Sequence, residues 1–177
     1  MQFGGLQKKS SVADLTYHKY RISFLLTNYI KATIGIAISV FPIFILEAAG
    51  LIKYFLLLIF VIFILLLIKT IFNQMVTVFI SNDSIEILEL FIRKRKIKWD
   101  KVKKFELQYY STRQDKEKGW MQLKVSDKKN TIIIRSAISD FEAIAKKTAC
   151  IASNNDITLT NRTVINYKAI GINIHTK

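Results

Sequence analysis

The chain is short of the residues that organise most small folds and most active sites. One cysteine, Cys150, in 177 residues excludes an intrachain disulfide framework and a cysteine-built zinc site. Six glycines and one proline exclude a collagen helix and a low-complexity linker, and a hydrophobic share of 51% excludes a wholly disordered chain. The two histidines, His18 and His175, stand at opposite ends with no HExxH or related metal spacing. No GxSxG, Walker loop or GxGxxG occurs. Acidic residues are scarce too, 13 against 27 Lys and Arg, leaving a net charge of +14.

What is present is a chain at once basic and apolar, with a mean hydropathy of +0.25, so the two properties must be segregated along it. Ala32 to Leu46 is an uncharged run between Lys31 and Glu47; extended back to Phe24 it takes in Asn28 and Lys31. A second block runs from Leu51 to Phe72, and its centre, Tyr54 to Ile68, is uncharged and dense in Leu, Ile and Phe. A hydrocarbon core about 30 Å thick needs roughly 20 helical residues. The second block meets that requirement, and the first meets it if Lys31 snorkels from near the membrane edge. Buried helices of soluble proteins usually carry a polar stripe, which Tyr54 to Ile68 lacks. The sequence therefore predicts a transmembrane helical hairpin over 24–72, with helices at about 24–46 and 51–72. Gly35, Ala37 and Ser39 offer small surfaces for contact between the helices. Lys8, Lys9, Lys19, Arg21 and Lys31 precede or open the first helix against Asp14 alone, and the chain beyond the second helix is densely basic. The positive-inside rule then puts the basic N-terminal segment, 1–23, and the C-terminus in the cytosol.

From Val76 the periodicity becomes strand-like. Val76 to Ile80, Ser84 to Ile92, Arg93 to Trp99, Lys104 to Tyr110, Trp120 to Val125 and Thr131 to Arg135 read as strands, with a bulge expected near Ile87 and Leu88. One amphipathic helix follows, with Ser139 as N-cap and Glu142 completing a capping box; Cys150 falls near its buried edge as a packing residue. Ile157 to Leu159 and Thr163 to Tyr167 are candidates for further strands in a C-terminal extension, 156–177. The fold class is an α+β membrane protein, a two-helix hairpin followed by an antiparallel β-barrel or sheet capped by one amphipathic helix.

The order of these features resembles bacterial pleckstrin-homology-like membrane proteins. Val78-Phe-Ile-Ser-Asn-Asp-Ser-Ile-Glu-Ile87 is similar to their opening hairpin. Ile97-Lys-Trp-Asp-Lys-Val102, followed by Phe105, is similar to their turn into the next strand. The capped helix sits where such a barrel has its plugging helix. The resemblance implies a PH-like cytosolic domain over 76–155 at a bacterial cytoplasmic membrane, acting as an interaction or scaffolding module rather than as an enzyme. No lipid-binding motif of the family carries over residue by residue.

Arg93, Lys94, Arg95, Lys96, Lys98, Lys101, Lys103 and Lys104 fall within twelve residues against Asp100 alone. Three readings compete: solvated strands whose charge discourages edge pairing, a patch for anionic headgroups, and nucleic-acid binding. Lys outnumbers Arg 21 to 6, which disfavours bidentate base readout, although Tyr109, Tyr110 and Trp120 could stack on bases. Asp115, Glu117 and Asp127 read as solvated loop residues. Asn161-Arg-Thr163 matches a glycosylation sequon made irrelevant by cytosolic placement. No catalytic set and no cofactor is expected. The expected partners are anionic lipid headgroups together with a protein partner or a second copy of the chain. The rival is a small accessory subunit of a larger transport or secretion complex, and a weaker third class is a membrane-lipid enzyme.

Overall fold

Two runs free of strand-like alternation become the two long helices of a computed structural model, which describes residues 15–45, 50–90, 93–111 and 119–174. Helix α1, Ile22–Ile45, has 24 residues and α2, Gly50–Gln74, has 25. Both are long and apolar enough to cross a membrane. They pack antiparallel through small residues of α1: Ala32 and Ser39 are fully buried, and a Cβ at Gly35 would collide with the Phe63 ring. Ala37, expected in this contact, faces outward. The hydroxyls inside the helices stay satisfied locally, Ser39 donating to the Gly35 carbonyl at 2.8 Å and Thr70 to that of Leu66 at 2.8 Å. The Tyr29 hydroxyl joins the helices by donating to Gln74 Oε1 at 2.6 Å.

The hairpin is an insertion within a sheet. Strand β1, Thr16–Lys19, precedes it and pairs antiparallel with β2, Thr77–Ile80, which follows it, Lys19 standing opposite Thr77. The expectation that residues 1–23 lie apart from the folded domain is thus corrected at 16–19. Only His18 of β1 is buried, so no apolar alternation marked it as a strand. Strands β3, Ser84–Glu89, and β4, Arg93–Lys98, complete the order β1-β2-β3-β4. The β2–β3 and β3–β4 registers run without a break, so the bulge expected at Ile87 and Leu88 does not form. Ile85 and Ile87 enter the core while Glu86 and Leu88 share the opposite face.

A short helical turn, Trp99–Lys101, leads to a second sheet of β5, Lys104–Ser111, β6, Gly119–Ser126, and β7, Thr131–Arg135, in sequence order. The sheets meet along one seam. Tyr20 bridges Ile138, the Arg21 N–H donates to the Ala137 carbonyl at 2.9 Å, and the Ser139 N–H donates to the Lys19 carbonyl at 2.8 Å. Among the described residues no strand ladder joins β4 to β5, so the structure is two sheets joined at one edge and not a closed barrel.

Helix α3, Phe141–Asn154, covers the apolar faces with Phe141, Ile144, Ala145, Thr148, Ala149 and Ala152. Its cap is Asp140, at φ 52°, with no side-chain capping bond; the expected Ser139 capping box fails because the Ser139 N–H is committed to β1. Asp140 Oδ2 instead lies 3.3 Å from His18 Nδ1. Cys150 is exposed, not at the buried edge. The segment expected to form a strand at Thr163 to Tyr167 is helix α4, Asn161–Ala169, with the Thr160 hydroxyl accepting from the Thr163 N–H at its start. One turn apart on one face, Thr163 and Tyr167 are buried, and Tyr167 is the largest fully buried side chain among the described residues. Its hydroxyl lies 3.0 Å from that of Thr148. Two helices therefore cap the sheets, rather than one.

Burial pushes the Tyr167 phenol up to about 12, the Thr148 hydroxyl opposing only part of it. A raised acid favours its neutral form in the fold, so this stability is intact below the unfolded value, about 10, and is lost as the pH climbs towards 12. Tyr167→Phe is expected to cost about 1 kcal/mol at neutral pH through loss of the hydroxyl pair. It should also remove part of the alkaline loss of stability, as read by thermal unfolding of the detergent-solubilised chain between pH 7 and 11.

Candidate basic site

The alternation of β4 splits the basic run over two faces. Ile97 is fully buried, so Arg93 and Arg95 share its side of the strand and Lys94, Lys96 and Lys98 lie on the other. Arg95 is a clamp between the two sheets. Its Nη1 donates to the Thr131 carbonyl on β7 at 2.6 Å, and its Nη2 donates to Glu89 Oε1 at 2.6 Å. Its buried Nε has no acceptor among the described residues. Lys94 and Lys96 both pair with Glu86 on β3, Lys94 at 2.7 Å. Lys104 pairs with Glu106 at 2.6 Å.

The register orders the rest. Lys94 stands opposite Leu88, which stands opposite Thr77, which stands opposite Lys19, so Arg93 and Lys94 lie at the end of the sheet from which the hairpin leaves. Lys98 lies four residues further along β4, roughly 13 Å at the usual strand rise, with Lys101 and Lys103 beyond it. Lys98, Lys101 and Lys103 have no ion-pair partner among the described residues. They join Lys96 and the β6–β7 loop residues Lys128 and Lys129 around a cleft of about 580 Å³. Sequence reasoning missed Lys128 and Lys129, because only the tertiary approach of that loop to the turn after β4 brings them in. Asp100 and Asp127 also line the cleft, so its positive charge is partly offset. The Asp127 carboxylate accepts from the N–H groups of Asn130 and Lys129, at 2.5 and 2.6 Å, and these bonds hold its pKa below the usual carboxylate range.

The aromatic residues that could stack on bases are at the other end. Tyr110 and Trp120 face each other across β5 and β6 with ring centroids 5.7 Å apart, beside Phe24 and Lys69 of the hairpin. Basic cleft and aromatic pair therefore do not form one surface. No group of three or more His, Cys, Asp or Glu side chains placed to hold a metal ion occurs among the described residues. No family model matches the chain, and neither a curated protein nor a solved structure matches it.

Burial works to raise the Glu86 pKa, but the hydrogen bonds and charges of Lys94 and Lys96 outweigh it and hold the carboxyl below its ordinary value. A depressed acid stabilises the fold above its unfolded value, about 4.3, and that contribution fades as the pH falls through the folded value. Glu86→Gln is expected to flatten the stability–pH curve below about pH 5. At neutral pH it should destabilise the chain by leaving two lysines unmatched. Thermal unfolding across pH 3 to 7 reads both effects.

Proposed function

We propose that this chain is a membrane-anchored, non-catalytic interaction module. In this reading the hairpin spans the bacterial cytoplasmic membrane, and a pleckstrin-homology-like domain stands on its cytosolic face and holds a protein partner. The observation that carries the reading is the insertion of the hairpin between two hydrogen-bonded neighbours, β1 and β2. Both helix ends leave one end of one sheet, so the domain is tied to its anchor at two adjacent points and its far end is directed away from the anchor. The outward faces of the helices support a lipid setting: Leu51, Ile62 and Leu65 are among many large side chains left exposed there. In water, so extended an apolar surface would drive aggregation. Four strands, then three, then a covering helix are compatible with the PH-like architecture. The basic flanks suit the cytosolic side.

Such an orientation divides the basic run by function. Arg93 and Lys94 stay within reach of the headgroups. Lys98, Lys101 and Lys103 stand more than a Debye length, about 8 Å, further out. Their cleft suits an acidic segment of a cytosolic protein better than the lipid surface, because headgroup attraction decays over that distance.

The exposed Cys150, the sole cysteine, gives a direct test. A membrane-impermeant maleimide is expected to label it in inside-out vesicles and not in intact cells, and the chain should resist alkaline carbonate extraction. Labelling from outside overturns the orientation, and release by carbonate overturns the anchor. Gentle detergent extraction that yields only a large, stable assembly supports the accessory-subunit reading instead.

A further inference from the structure

We infer that the cleft where the hairpin meets the second sheet binds the headgroup of an anionic phospholipid, with the stacked Tyr110–Trp120 pair lying in the interfacial layer beside it. This rests on the proposal that the hairpin spans a bilayer. The cleft measures about 420 Å³ and is lined by Phe24, Lys69, Tyr110, Trp120, Gln122 and Arg135. Its cations come from separate elements, Lys69 from α2 and Arg135 from the end of β7, and among the described residues no acidic side chain lines it.

Arg135 lies beside Tyr20, where its charge acts to lower the phenol's pKa against the larger, opposite effect of burial, and the Tyr20 ring stacks on Phe24 with centroids 5.7 Å apart. A guanidinium carries five N–H donors in a planar fork suited to phosphate. Lys69 lies five residues before the end of α2, about 7.5 Å along the helix. Between Lys53 and Lys69 the helix is uncharged over about 24 Å, close to a hydrocarbon core once both lysines snorkel outward. Lys69 thus marks the boundary where phosphates begin. Tyr110 and Trp120, 37% and 42% exposed, stand at that same level, where amphipathic rings are favoured. The cleft joins an apolar wall for the glycerol and upper acyl carbons to two cations for the phosphate. A free anion would use the cations and leave the wall idle.

The chain has two tryptophans, and the other, Trp99, is buried at the far end of the first sheet. The emission lost in Trp120→Phe therefore reports the cleft. The full chain is reconstituted in phosphatidylcholine vesicles doped with phosphatidylglycerol brominated on the acyl carbons nearest the headgroup, or with phosphatidylcholine brominated alike. The brominated phosphatidylglycerol should quench Trp120 at the lower mole fraction. Lys69→Gln and Arg135→Gln should each raise the half-quenching fraction about fivefold, the strength of one cation at a membrane surface, and the double variant should abolish the preference. Added inorganic phosphate should change nothing. Equal quenching by both lipids, no quenching by either, or relief by inorganic phosphate overturns the site. Phe60→Trp in the Trp120→Phe chain reads the hairpin separately, with lipid brominated near the chain ends. If that residue is quenched and Trp120 is not, the cleft inference falls and the spanning hairpin stands; if neither is quenched, both fall.

Discussion

Everything in this molecule is arranged by one pairing: four residues before an apolar hairpin form an antiparallel ladder with four residues after it. The ladder brings Lys19 and Thr77 together, so the two helices must leave the sheet side by side. Little apolar burial holds β1 in place. It is secured by the ladder, by the His18–Asp140 contact and by the backbone bonds of Lys19 and Arg21 to the segment after β7. Those same bonds join the two sheets along their seam, so anchoring of the hairpin and assembly of the domain depend on shared contacts.

The parity of the strands does the rest. β2 leads away from the hairpin, β3 returns, and β4 leads away again, which puts the turn at Trp99–Lys101 at the far end. β5 returns, β6 leaves and β7 returns, which brings Tyr110, Trp120 and Arg135 back to the helices. A chain with one strand more or fewer would have exchanged the basic and aromatic ends. The separation has a chemical consequence, since the lysines of one cleft lie remote from the helices while aromatic rings and two cations, Lys69 and Arg135, border them. Glu86, Glu89 and Glu106 meanwhile turn half of the basic run into structural pairs, so a count of charges overstates what is free to bind.

The parts that were legible in the sequence are those whose pattern is local. The apolar helices were visible because their outward sides and the sides packed on each other are both apolar. Strands β2, β3 and β5 to β7 were visible because each buries a pair of apolar side chains two positions apart, whereas β4 buries only Ile97. Helix α3 was visible through its 3.6-residue spacing, although its capping was not, because Ser139 is claimed by a strand more than a hundred residues earlier. β1 and α4 were hidden for a common reason. Each buries only one or two side chains, His18 in β1 and Thr163 and Tyr167 in α4, too few to print a period on the chain.

By itself, then, the sequence determined the two apolar helices, the succession of strands and the excess of positive charge, because each follows from residue type repeated over neighbouring positions. Only the tertiary structure decided that the hairpin interrupts a sheet, that Arg95 is a clamp, that Lys128 and Lys129 join Lys98, and that Lys69 and Arg135 share a cleft. These depend on which distant backbones find one another's hydrogen-bonding edges, and that is settled by register and strand parity, which no local stretch of side chains encodes.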